Sequence, residues 1–151
     1  NVMRQLDQAG IAYTPRYYDA SLASGTEVAT ALGQSAECVF KTLVAEANTG
    51  EHFVFVIPAP ETLSLKKAAK AAGVKSIAML PQKKLLPLTG YVHGGCSPVG
   101  MKKPFPTWID ETALLTDAFF CSAGRLGAQI GIDPEALAGY IGAQFADLTE
   151  E

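Results

Sequence analysis

Two β-rich runs, residues 39–47 and 51–57, flank the tripeptide Asn48-Thr49-Gly50. Turn residues of this kind between two strand-length segments read as a hairpin. This is the firmest β unit in the chain, and the rest has to be arranged around it. Upstream, Val2, Leu6 and Ala9 recur at helical spacing and Gly10 follows as a left-handed stop, so a short first helix is expected. Residues 11–18 alternate, but Pro15 demotes them to an edge strand. Ser24-Gly25-Thr26-Glu27 has the spacing of a capping box and leads into Val28, Ala31 and Leu32, with Gly33 as the stop.

Downstream of the hairpin, Ser64 caps a helix over residues 65–72 that ends at Gly73. A short strand over 77–80 follows. Pro81 suits the first turn of a helix carrying Leu85 and Leu86, closed by Pro87 and Gly90. Residues 94–106 hold Gly94, Gly95, Pro98, Gly100, Pro104 and Pro106, which reads as one long ordered loop of the kind that binds something. Strands are expected over 107–110 and 118–121, then a turn over 122–127. Asp133-Pro134 caps a last helix reaching about residue 143. Hairpins mixed with helices imply an α+β fold around a curved, mostly antiparallel, barrel-like sheet flanked by helices. The 151 residues are expected to form a single domain over 1–151, large enough to bury about two-thirds of its extended-chain surface without staples.

The longest apolar run, residues 53–57, stops at Pro58 and falls far short of the roughly 20 residues a spanning helix needs. Cys38, Cys96 and Cys121 lack metal-ligand spacing. They read as unpaired thiols in a reducing cytoplasm, and no metal is expected.

Charge is segregated along the chain. Residues 62–109 contain eight lysines and no Asp or Glu. Residues 1–61 hold three basic and seven acidic side chains, and residues 110–151 hold one and eight. A +8 segment thus lies between segments of −4 and −7 in a chain whose net charge is −3. A one-sign stretch of this kind suits an anionic partner such as RNA, although solvated helix faces produce the same pattern. No lysine-rich helix carries the aromatic face of a membrane anchor.

The reactive residues exclude more than they suggest. Ser97 stands in a sequence resembling a nucleophile elbow, but the next residue is Pro98, which has no N–H to offer an oxyanion. Cys96 and His93 could pair, yet nothing locates a third group to orient them. Neither G-x-G-x-x-G nor a P-loop occurs. Residues 124–127 read as an anion-binding turn or simply a turn. Lys41 is the odd residue: alternation sets it on the same strand face as Val39, Leu43 and Ala45. Such a cation is an edge-strand guard, a snorkelling stem or a charge held in a pocket wall for a phosphate or an oxyanion.

Several motifs occur in order over nearly the whole chain. They are Phe40-Lys41-Thr42-Leu43-Val44, the lysine-rich helix at 63–70, Thr89-Gly90-Tyr91-Val92-His93-Gly94-Gly95-Cys96-Ser97-Pro98-Val99-Gly100 with Lys102-Lys103, and Ser122-Ala123-Gly124. Together they resemble the YbaK/EbsC-type aminoacyl-tRNA deacylases, free-standing relatives of the editing domain of prolyl-tRNA synthetase. The resemblance implies that fold, no cofactor, and hydrolytic clearance of misacylated tRNA, most typically Cys-tRNA(Pro), with prolyl-tRNA synthetase as a candidate second partner. It also implies that the thiol of a cysteinyl substrate attacks its own ester carbonyl and leaves as a thiolactone. The enzyme then acts by orientation and electrostatics.

Carried over by position, Lys41 is the catalytic lysine. Tyr18, Thr42, Gly94, Gly95, Ser97, Pro98, Gly100, Ser122, Gly124 and Gln129 are the substrate-binding set. Backbone N–H groups around Gly94, Gly95 and Gly124 would face developing negative charge, and Lys66, Lys67, Lys70, Lys102 and Lys103 would meet tRNA phosphates. Two positions depart from the family pattern. Residues 19–25 form a shorter stretch, with Ser24 where an aromatic is expected, and Gln129 replaces a frequent acidic residue. Both bear on which amino acid is accepted, so Ala-, Ser- or Thr-tRNA is the alternative substrate. A regulatory or tRNA-binding module without turnover is the alternative of a different class.

Overall fold

The computed structural model describes residues 1–22 and 24–151. In chain order the elements are α1 (Val2–Ala9), β1 (Tyr13–Tyr17), α2 (Gly25–Leu32), β2 (Phe40–Ala47), β3 (His52–Pro58), α3 (Leu65–Ala72), β4 (Ile77–Met79), α4 (Leu85–Thr89), β5 (Thr107–Asp110), β6 (Phe119–Ser122), β7 (Ala128–Ile132), α5 (Pro134–Ile141) and β8 (Gln144–Ala146). The local signals work as expected. Ser24, Ser64 and Asp133 each accept a backbone N–H from the first turn of α2, α3 and α5, and β2 and β3 form the antiparallel hairpin with Lys41 opposite Ile57.

The strands form two sheets and do not close into a barrel. One is antiparallel, in the order β1-β7-β6; the other runs β4-β2-β3-β5-β8. Four of the six strand pairs are antiparallel, but β3–β5 and β5–β8 are parallel. The sheets meet where Val39 bridges Phe120. Between them Phe40, Val44, Val54, Val56 and Ile109 pack with Phe119, Ile130, Ile132 and Leu6 of α1, and Phe40 meets Phe119 edge to face at 4.9 Å. On the far face of the five-stranded sheet, Phe53, Phe55 and Ile57 pack with Leu63, Ala68, Ala69 and Leu148. β3 is therefore buried on both faces, which explains its unbroken apolar run.

The feature that positions the site is the shortness of β4. It pairs only with Ala45–Ala47 of β2, so the β4 ladder stops short of residues 40–43. β6 approaches the start of β2 at the Val39–Phe120 bridge.

Candidate active site

A cavity of about 590 Å³ opens beside residues 40–43 of β2, within the size range of small-ligand sites. Phe40, Lys41, Thr42 and Leu43 of β2 form one wall. Ser122 of β6 and Gln129 of β7 form another, and Tyr18, Ser24, Gly25 and Val28 come from the segment leading into α2. Val39, Ala59, Leu85, His93, Gly94, Cys96 and Leu126 also line it.

Lys41 is half-buried, and among the described residues no carboxylate lies within 4.0 Å of its ammonium. Burial lowers its pKa from the ordinary lysine value, and the negative charge of Glu61 opposes that fall. The site therefore holds a cation with little protein to neutralise it. Two further polar atoms are unsatisfied: among the described residues, Thr42 Oγ1 and Gln129 Oε1 are buried without a hydrogen-bond partner. Leaving such a group unsatisfied costs about 1–3 kcal/mol.

The proton of the Ser122 hydroxyl is committed. It donates to the carbonyl of Gly95 and accepts the N–H of Gly124, both at 3.0 Å. The side chain ties the glycine loop at 94–95 to the turn after β6. The fixed spacing matters because a Cβ on Gly95 would lie 3.2 Å from the Arg125 backbone.

The structure brings Lys41, Tyr18, Thr42, Gly94, Ser122 and Gln129 to one cavity. It does not bring all the others. Ser97 and Pro98 are buried behind the wall, where the Ser97 hydroxyl accepts the Val99 N–H. Gly100 and Gly124 line a separate hollow. The N–H of Gly95 is spent on the Val92 carbonyl and that of Gly124 on Ser122, so neither is free to face an oxyanion. Cys96 does line the cavity with His93, but burial pushes its thiol up to about 12. It is not a thiolate at neutral pH.

Of the lysines expected to meet phosphate, Lys66 and Lys70 are exposed on α3 and line a shallow groove with Lys75, while Lys103 is exposed on the long loop. Lys67 is different. It is paired with Asp147 at 3.0 Å and donates to the Thr149 carbonyl at 2.7 Å, so it fastens the C-terminal segment instead of presenting a charge. Lys102 donates to the Pro87 carbonyl at 3.3 Å. The departure at residues 19–25, whose residue 23 lies outside the described residues, borders the cavity, and Ser24 there caps α2. The apolar lining from Val28, Val39, Leu85 and Leu126 carried no sequence signal, because these residues lie on separate segments joined only by the fold.

Residues 19–140 match the family described as the aminoacyl-tRNA editing domain. A protein of Enterococcus faecalis, provisionally named Cys-tRNA(Pro)/Cys-tRNA(Cys) deacylase EbsC, is 42% identical over 153 residues, covering 99% of this chain and 92% of that protein. The crystal structure of a protein provisionally described as a trans-editing enzyme for prolyl tRNA synthetase superposes with a TM-score of 0.87 at 28% identity, covering 99% of this chain and 95% of the other. That of the hypothetical protein APE2540 gives 0.91 at 26%, covering 99% of each.

Proposed function

The chain belongs to the aminoacyl-tRNA editing domain family, and from that premise we infer that it deacylates misacylated tRNA, with Cys-tRNA(Pro) the leading substrate. The bond broken joins the aminoacyl carbonyl to a ribose hydroxyl of the terminal adenosine. The observation that carries the reading is the pairing of a half-buried, unneutralised Lys41 with the absence of an activated nucleophile among the described lining residues. Cys96 is held as a thiol and the Ser122 hydroxyl is spent on two backbone groups.

A site of this kind supplies placement and charge. In the substrate-assisted route the cysteinyl thiol gives up its proton and its sulfur bonds the ester carbonyl carbon. The bond to the ribose oxygen breaks and that oxygen regains a proton, leaving a thiolactone and free tRNA. Lys41 holds the terminal phosphate or the carbonyl oxygen as negative charge builds there. Tyr18, Thr42, Gly94, Ser122 and Gln129 surround the aminoacyl-adenosine, and the open positions at Thr42 and Gln129 support that placement. Gly95, Ser97 and Pro98 stiffen the wall behind them. Lys66, Lys70, Lys102 and Lys103 meet tRNA phosphates. The protein works as one editing unit in the cytoplasm, where prolyl-tRNA synthetase is the candidate partner in delivering the substrate.

Release rates from tRNA(Pro) charged with Cys, Ala, Ser or Thr test the reading, with cysteine expected to be fastest. If wild type and Lys41→Ala both leave every ester at its uncatalysed rate, the protein is a binding module instead.

A further inference from the structure

Two neighbouring pairs of residues are each divided between two hollows. Tyr18 and Leu126 line the main cavity, while Tyr17 and Arg125 line a second hollow of about 300 Å³, together with Tyr91, Gly124 and Lys102. The turn after β6 is thus a wall common to both. The Arg125 guanidinium lies over the Tyr17 ring, with Cζ 5.9 Å from the centroid, and Tyr17 is 61% exposed.

Among the described residues no acidic side chain lines the second hollow. Among the described residues neither Arg125 nor Lys102 has a carboxylate within 4.0 Å. An exposed aromatic ring backed by a guanidinium, beside a second cation, is the chemistry that holds single-stranded nucleotides: every base offers a π-face and every link a negative charge. The volume lies at the lower end of small-ligand sites, which suits one nucleotide and not a duplex.

We propose that this hollow is a subsite for the unpaired nucleotide preceding the aminoacylated adenosine, its base stacking against Tyr17 and Arg125 and its phosphate meeting Lys102. The assignment rests on the main cavity's being the aminoacyl-adenosine site. Its consequence is that the protein recognises a single-stranded RNA tail and not the terminal ester alone.

The test compares two fluorescent RNA hairpins of acceptor-stem sequence, one ending in an unpaired ACCA tail and one trimmed to a blunt end. Fluorescence anisotropy at fixed salt reads the affinity of each. Tyr17→Ala and Arg125→Ala are expected to weaken the tailed hairpin about tenfold and the blunt one less than about twofold. Tyr17→Trp, which keeps a stacking surface, should retain tailed binding. Equal weakening of both hairpins, or of neither, overturns the subsite. In a parallel arm, both alanine variants should hydrolyse a cysteinyl ester of lone adenosine at the wild-type rate, and a loss there also overturns it. If wild type hydrolyses no ester on either support, the deacylase reading falls, while the two-hairpin comparison still decides the subsite.

Discussion

Gly25 and Ala59 are packed so closely that a Cβ on Gly25 would stand 2.2 Å from the Cβ of Ala59. Both residues line the cavity. The contact seats the first turn of α2 against the end of the hairpin, and neither neighbour is a flexible side chain that could swing aside. Gly25→Ala is expected to destabilise the fold by about 1–3 kcal/mol and to reshape the cavity, lowering deacylation. Thermal melts and single-turnover rates check this. Adding Ala59→Gly should recover much of both losses; no recovery in the double variant would show that the contact is not the cause.

Lys41→Ala should lower the deacylation rate at least about 100-fold, the scale seen when a preorganised electrostatic group is removed from an active site. Rapid-quench assays on Cys-tRNA(Pro) measure it. Circular dichroism should report an unchanged fold, since no protein partner depends on that ammonium among the described residues.

The same side chain makes stability depend on pH. Burial sets the folded-state pKa of Lys41 below 10.5, so the unfolded chain binds its proton more readily than the native one. Below the lowered value the ammonium opposes folding in full, and the opposition fades as pH rises towards 10.5. Lys41→Met should therefore melt above wild type at neutral pH, with the margin narrowing as pH approaches 10.5. A margin independent of pH would contradict the assigned cause.

The lysines on α3 should divide by function. Lys66→Ala and Lys70→Ala each remove an exposed charge, so each is expected to weaken tRNA binding and to lower the slope of log affinity against log salt by about 0.7–0.9. Lys67→Ala should leave that slope unchanged and loosen the C-terminal segment that Asp147 and Thr149 anchor. Salt titrations of binding and hydrogen exchange at residues 147–149 separate the two behaviours.

Burial pushes the thiols of Cys96 and Cys121 up to about 12. Cys38 is the more accessible of the three. Under native conditions at neutral pH, iodoacetamide followed by mass spectrometry should label Cys38 first and spare the other two. Rapid labelling of Cys96 would mean that the cavity wall opens.

What was legible in the chain was what is encoded locally. The caps at Ser24, Ser64 and Asp133 depend on a side chain and a backbone group three residues apart, and the hairpin on a three-residue turn. β7 was missed because Ala128 and Gly131 are poor strand formers. The reason lies elsewhere in the chain: the Phe120 ring would be 2.8 Å from a Cβ on Gly131, so the aromatic occupies the space a side chain would need. The parallel pairs went unseen since nothing in residues 52–58 signals a partner fifty positions away. Alternation marked Lys41 as anomalous, and the Gly-Gly loop was recognisable. Sequence could not tell Gly94, which faces the cavity, from Gly100 and Gly124, which serve the neighbouring hollow.

Val54 pairs with Thr107, and Trp108 in turn with Gln144; both contacts join distant stretches of chain. Topologies dominated by such remote pairings fold slowly. The cavity, with walls drawn from Tyr18 through Gln129, therefore takes shape only after distant stretches of the chain have met. Trp108, the single tryptophan, stands on the strand between the two junctions. Its fluorescence during refolding should rise or fall in step with the recovery of catalysis.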